Sequence, residues 1–320
     1  MKDLTAAQAA ALLREFDDVL ILTHVRPDGD TVGCAAGLCA GLRNLGKRAY
    51  LLENDGKTRT TAPYMAPYEA PEGFAPAYVV SVDIAVTDLL PQNAEQYKGR
   101  VDLAIDHHPS FTRFGKANMV RTEAGACGEI IYDVLKELGP VTAEMALPLY
   151  VAISTDTGCF QYSNTTANTH RVAAELIDIG IDYRTVNQIF FRTKSRKRLE
   201  LEGDMLANME FYDGGRIVVM KVPISLMERV GADETDAEDL SSLGGQIEGT
   251  DCGITMRELR PDVWKFSVRT GPRINASVVC AQLGGGGHAA AAGCTVEAPM
   301  AEARQKMLAA VEKTTGKFAD

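Results

Sequence analysis

Four short groups in the first half of the chain place acids and histidines where a metal could use them. They are H-V-R-P-D-G-D at 24–30, S-V-D at 81–83, D-H-H at 106–108 and T-D-T-G at 155–158. Together they supply His24, Asp28, Asp30, Asp83, Asp106, His107, His108 and Asp156. Uncompensated, that many carboxylates in one place repel one another and raise each other's pKa values. Divalent metal removes the conflict. Oxygen ligands mixed with imidazole suit Mn²⁺, with Mg²⁺ or Co²⁺ as substitutes, and the lack of cysteine in these groups speaks against structural zinc. Gly29 is expected to let the chain turn sharply, so that Asp28 and Asp30 face two different ions, and Asp83, alone on its strand end, is placed to bridge them. Two ions about 3.5–4 Å apart would activate a water and clamp a phosphoryl group during in-line displacement. Singly, each fragment has an ordinary explanation, because an aspartate at a strand end often caps a helix or forms a turn. Four such groups in order, each on a strand end or loop, do not.

Those residues need a sheet edge to meet on. Apolar runs at 19–22, 50–52, 78–82 and 101–105 are short and branched enough for buried strands, and an apolar stripe at Val32, Ala35, Ala36, Cys39 and Leu42 marks a helix after the first. This alternation predicts an α/β protein whose larger N-terminal domain has a doubly wound, mostly parallel sheet. Its acids then fall at the C-terminal ends of strands, the edge where open α/β sheets bind ligands. Residues 56–77, with prolines at 63, 67, 71 and 76, are expected to form a loop near the site. Helical patterns follow at 127–138, 143–154, 169–179 and 184–208. Strands at 217–222, 253–258 and 264–268 and a helix from about 300 predict a smaller C-terminal α/β domain across a cleft. The domains are set at 1–188 and 213–320, with a helical linker at 189–212.

At 320 residues, 46% hydrophobic and 24% charged, the chain suits two globular domains. Its net charge of -10 argues against coating long nucleic acid, which needs many basic contacts to phosphate. The basic run R-T-K-S-R-K-R at 192–198 is taken as a solvated helix, with a nucleic-acid groove as the alternative. Seven cysteines without a C-x-x-C pair fit reduced core thiols and a cytoplasmic protein. The N-terminal stretch 1–18 suits an amphipathic helix better than a signal peptide, and the glycines at 284–287 argue against a membrane span in 276–296.

The second half adds L-G-G-G-G-H-A-A-A-A-G-C at 283–294, whose backbone N–H groups can cradle a small anion. Arg269, ending the strand W-K-F-S-V-R-T, and His288 would complete a phosphate clamp. Cys280 and Cys294 are expected in the core.

The order H-x-x-x-D-x-D, D, D-H-H, D-T-G and a C-terminal G-G-G-H-x-A-A-A-G resembles the DHH phosphoesterases with a DHH-associated C-terminal domain, over nearly the whole chain. The stretch 153–177 resembles the branch of small oligoribonucleases that also act as 3'-phosphoadenosine-5'-phosphate phosphatases. The resemblance implies a hydrolase with two Mn²⁺. It places His24 and Asp28 on one ion and Asp30, His107 and Asp156 on the other, with Asp83 bridging. It turns His108 to the substrate with Asp106 orienting it from behind, and gives Arg269, Gly285, Gly286, Gly287 and His288 to substrate binding. Relatives often carry serine after the arginine, where Thr270 keeps the hydroxyl. Expected substrates are short RNA, linear dinucleotides and 3'-phosphoadenosine-5'-phosphate, with no long nucleic acid and no membrane partner; a homodimer is compatible with the sequence. The alternatives are a cyclic-dinucleotide phosphodiesterase and a metal-containing nucleotide sensor without turnover.

Overall fold

Five short apolar strands build the first sheet: Val19–Leu22 (β1), Ala49–Leu51 (β2), Tyr78–Val82 (β3), Leu103–Asp106 (β4) and Ala117–Val120 (β5). In the computed structural model, which describes residues 3–237 and 240–316, they pair in parallel in the order β2-β1-β3-β4-β5. Successive side chains serve opposite faces, so Val19 and Ile21 enter one core while Leu20 and Leu22 enter another. The first core is covered by helices Ala6–Glu15 (α1), Gly29–Asn44 (α2), Ala62–Met65 (α3), Cys127–Leu138 (α4) and Ala143–Asp156 (α5), joined by Ala167–Asp178 (α6) and Tyr183–Asn187 (α7). The second face is closed by 3₁₀ turns at Thr87–Leu89 and Gln92–Tyr97, with Tyr97 and Phe111 supplying bulk that a long helix would otherwise provide.

Helices α2 and α5 approach closely because α2 carries glycine at every fourth position. A Cβ on Gly33 would lie 2.2 Å from the Pro148 carbonyl oxygen and 2.8 Å from the Ala152 Cβ. A Cβ on Gly29 would lie 2.2 Å from Thr155 Oγ1. The glycine stripe therefore sets how near the first turn of α2 comes to the last turn of α5.

Two stretches differ from the sequence expectation. Residues 56–77 are not one open loop: α3 and a 3₁₀ turn at Ala66–Tyr68 lie within them, and the Tyr68 hydroxyl donates to Glu144 of α5 at 3.1 Å. Residues 184–208 are not one helix: α7 runs into a π-type turn at Gln188–Arg192, and Ser195 then caps a new helix, Arg196–Ala207 (α8), by accepting from the Arg198 N–H at 2.9 Å.

One compact unit ends at Thr193 and a second begins at Lys194. The second contains strands Glu210–Tyr212 (β6), Ile217–Val222 (β7), Cys252–Arg260 (β8), Val263–Thr270 (β9), Gly286–Gly287 (β10) and Ala291–Glu297 (β11), ordered β10-β11-β9-β8-β7-β6 with β7 and β8 parallel. Helices Ala276–Ala281 (α10) and Met300–Thr315 (α11) cover one face through Val279, Cys280, Met307 and Val311. On the other face α8 and Ile224–Val230 (α9) cover Val218, Met220 and Val222 with Leu201, Met205 and Leu226. Helix α8 thus belongs to the second core rather than standing between two domains. In the basic run, Lys194 and Arg198 pair with Glu202 at 2.8 and 2.6 Å. Among the described residues, no helix is long and apolar enough to cross a membrane.

Because the Gly33 Cβ would meet backbone, Gly33→Ala is expected to lower unfolding free energy by about 1–3 kcal/mol, the usual range for overpacking. A denaturant midpoint equal to wild type would show that α2 and α5 can part without cost.

Candidate metal centre

The C-terminal ends of β1, β3 and β4 carry the acidic groups, at the point where strand order reverses between β1 and β3. Asp28 is the N-cap of α2 and accepts from the N–H groups of Asp30 and Thr31 at 3.1 and 3.2 Å. Thr31 ties that helix end to the sheet by donating to the Val82 carbonyl at 3.0 Å. Asp83 follows β3 with φ of 56°, a left-handed conformation that aspartate tolerates better than most residues. Asp106 ends β4, and His107 and His108 follow it. Gly29 does not serve the turn expected of it: its φ is not positive, and its lack of a side chain makes room for Thr155. Asp156 comes from the last turn of α5 rather than from a loop or strand end, because that helix continues two residues beyond its expected stop.

Three groups of ligand atoms each fall within 4.8 Å: His24, Asp28 and Asp83; Asp30, His107 and Asp156; and Asp83, His107 and His108. His107 Nε2 lies 3.7 Å from Asp30, 3.6 Å from Asp83 and 3.8 Å from Asp156. These separations are too long for hydrogen bonds and surround a shared point. On the ring's other side Nδ1 lies 3.2 Å from the Ala124 carbonyl oxygen, an arrangement that turns Nε2 to the carboxylates. His24 Nε2 lies 3.5 Å from Asp28. The side chains of Asp30 and Asp83 are 2% and 3% exposed and that of Asp28 62%, so the group opens to solvent on the Asp28 side.

Burial raises the Asp83 and Asp156 carboxyls well above their ordinary range, and the negative charges of Asp30 and Asp28 push both further. Burial also raises Asp30, against the pull of His107. At Asp28 desolvation is outweighed by His24 and the two N–H groups, which hold it down to about 2. Asp83 Oδ1 and Asp106 Oδ2 are buried without a hydrogen-bond donor among the described residues. Repelling carboxylates, an orphaned buried oxygen on Asp83 and an inward imidazole nitrogen together fit divalent cations bound by oxygen and nitrogen.

Several positioning groups were not singled out from sequence. The Cys127 and Gly128 N–H groups at the start of α4 donate to Asp30 at 2.7 and 3.0 Å, and the Cys34 thiol donates at 3.2 Å. Asn54 Nδ2 donates to the His24 carbonyl at 2.8 Å, and Asn164 Nδ2 to Asp156 Oδ2 at 3.2 Å and to the Gly125 carbonyl at 2.8 Å. Buried Glu129 accepts from the Gly125 N–H and the Thr169 hydroxyl. Asp106 Oδ1 accepts from the His108 N–H at 2.6 Å and lies 2.8 Å from its Nδ1. That bond raises the His108 pKa against the opposing effect of burial. Two signals were present in the sequence: an asparagine just past a strand end in L-L-E-N-D-G, and another eight residues after Asp156.

In the second unit the glycine run forms a hairpin arm. Gly286 and Gly287 pair with Gly293 and Ala292, and His288 and Ala291 exchange backbone hydrogen bonds of 2.8 and 3.2 Å at its tip. A Cβ on Gly285 would lie 2.2 Å from the Gly293 carbonyl oxygen. Arg269 on β9 pairs with Ala291 in register, and His288 is exposed. Cys280 and Cys294 are buried.

Residues 18–153 match the DHH family, N-terminal domain, and residues 216–317 match the DHHA1 domain. The chain belongs to the DHH phosphoesterase family. It is a hydrolase acting on phosphate esters. It is similar to the bifunctional oligoribonuclease and PAP phosphatase NrnA of Thermus thermophilus, 34% identical over 92% of this chain and 89% of that one. The protein of that name from Bacillus subtilis is 27% identical over 88% of this chain and 90% of its own length. In fold it resembles an exopolyphosphatase-related protein from Bacteroides fragilis, with a TM-score of 0.85 at 21% identity over 96% of each chain.

If cations relieve the buried repulsion, Mn²⁺ at a hundred times its Kd stabilises wild type by about 2.7 kcal/mol. Asp83→Asn is expected to melt no lower than wild type in chelator and to gain little from Mn²⁺. A full Mn²⁺ shift in that variant, read by calorimetric Tm, would remove Asp83 from the ligand set.

Proposed function

We propose that this DHH hydrolase cleaves phosphate esters of short oligoribonucleotides, linear dinucleotides and 3'-phosphoadenosine-5'-phosphate, with two divalent cations, Mn²⁺ first, at the centre. The convergence of Asp30, Asp83 and Asp156 around His107 Nε2 carries this reading. The names of the two relatives support the substrate class. His24 and Asp28 would hold one ion, Asp30, His107 and Asp156 the other, and Asp83 both. Bound there, the cations supply an activated water and neutralise charge on the phosphoryl oxygens.

The chain's own groups do the rest. Asp106 fixes the His108 ring through Nδ1, so its Nε2 can bind a phosphoryl oxygen or protonate the leaving oxygen. The Ala124 carbonyl and Asn164 hold His107 and Asp156 in place, and the α4 N-terminus orients Asp30 and offsets part of the cost of its burial. Arg269 grips a terminal phosphate of the substrate, assisted by His288 and the N–H groups of Gly285, Gly286 and Gly287.

Purified protein with Mn²⁺ is expected to release mononucleotide from dinucleotides and phosphate from 3'-phosphoadenosine-5'-phosphate, and to stop in chelator. No turnover of either substrate would overturn the reading. Comparing kcat/KM over these, a longer oligoribonucleotide and a cyclic dinucleotide ranks the substrates. Asp83→Ala is expected to lose at least about a hundredfold in kcat. Arg269→Ala is expected to raise KM for terminally phosphorylated substrates by about ten- to a hundredfold, the worth of a charge-assisted hydrogen bond, with kcat little changed. An unchanged KM would place Arg269 outside the site.

A further inference from the structure

Beside the metal centre lies a depression of about 440 Å³ that none of the candidate ligands lines. Its walls come from three loops at the same sheet edge: Val25 after β1, Asn54, Asp55 and Gly56 after β2, and Pro91, Gln92 and Asn93 from the β3–β4 connection. We infer that this depression is a nucleobase subsite, which seats the base of the nucleotide whose phosphate is at the metal centre. The inference rests on the phosphohydrolase reading for its substrate class.

Position supports it first. Val25 directly follows His24, so the depression begins one residue from a candidate ligand. Chemistry supports it next. Val25, 39% exposed, offers apolar surface against which a base can lie, with buried Pro91 behind the wall. Asp55 and Gln92, both exposed, offer an acceptor and an amide to its polar edge. Among the described residues no lysine or arginine lines the depression, so it suits an uncharged ring rather than a second phosphate. A volume of 440 Å³ lies within the ordinary range of small-molecule sites.

The walls are also tied to one another before any ligand arrives. Asn54 Nδ2 donates to the Thr23 hydroxyl at 2.9 Å and to the His24 carbonyl at 2.8 Å, and Asn54 Oδ1 accepts from the Gly56 N–H at 2.9 Å. A Cβ on Gly56 would lie 2.2 Å from the Val25 carbonyl oxygen, so the second wall presses on the first. Asn93 Nδ2 donates to the Glu53 carbonyl at 2.7 Å, and the Val25 N–H to the Leu89 carbonyl at 2.7 Å. A pocket held this way needs little ordering on binding. Asn54 joins the two functions, holding the His24 backbone and shaping the pocket with one side chain.

The test reads binding, so it is separable from turnover. Calorimetry on Mn²⁺-loaded protein compares AMP with ribose 5-phosphate, which differ by the base. Wild type is expected to bind AMP at least about tenfold more tightly, and Asp55→Ala/Gln92→Ala to lose most of that preference while ribose 5-phosphate binding stays unchanged. Equal affinities in wild type, or a preference that survives in the double variant, would overturn the subsite. Photolabelling with 8-azido-AMP gives a second readout. Label on the peptides carrying Val25 or Pro91–Asn93 supports the inference, and label confined to other peptides overturns it. Protein that prefers AMP yet hydrolyses no nucleotide would sink the phosphohydrolase reading and leave the subsite standing.

Discussion

Buried Asp30 and Asp83 and half-buried Asp156 are held together where their charges repel, and the first unit is arranged around that repulsion. Isolated carboxylates so placed take up protons, which is the direction in which all three are pushed. Asp30 is the most heavily compensated, with two backbone N–H groups from a helix start and a thiol. Asp83 Oδ1 has no donor at all among the described residues. That difference in compensation is what a bridging ligand requires: an oxygen left without protein partners, between two clusters that have them.

The scaffold brings these groups from distant parts of the chain by means that are mostly about space. Glycines in α2 let α5 lie against it, so Asp156 at the end of one helix meets Asp28 and Asp30 at the start of the other. The segment 124–128 then works as a hub. Its carbonyls hold His107 and Asn164, its N–H groups hold Asp30, and Glu129 and Thr169 anchor it from behind. A fault anywhere in that hub would reach three candidate ligands together. In the second unit glycine again serves close approach, since Gly285 packs its backbone on that of Gly293.

The residues proposed to hold cations were readable because their types are costly at a sheet edge unless something pairs with them. The helices at 127–138 and 300 onward were readable from apolar period, and β1, β3 and β7 from short branched runs. Other elements left weaker traces. Strand β5, A-N-M-V, is four residues with an asparagine that bonds back to Gly115, and only pairing with β4 makes it a strand. Strand β11 begins in alanines and a glycine that carry no strand preference, and it exists because β9 offers seven residues in register. The fracture at 188–195 follows from a cap at Ser195 that competes with helix continuation. Asn54 and Asn164 act through backbone carbonyls, and which carbonyl a side chain meets is settled by tertiary packing alone. The same limit hid the pocket beside His24, whose walls are three loops far apart in sequence.

We propose that one oxygen-rich group holds two cations joined by Asp83. Titration of the metal-free protein with Mn²⁺, followed by electron paramagnetic resonance, tests it most directly. Two ions per chain and a spectrum showing exchange coupling between them are expected. Saturation at one ion, or two ions whose signals are those of isolated Mn²⁺, would contradict it.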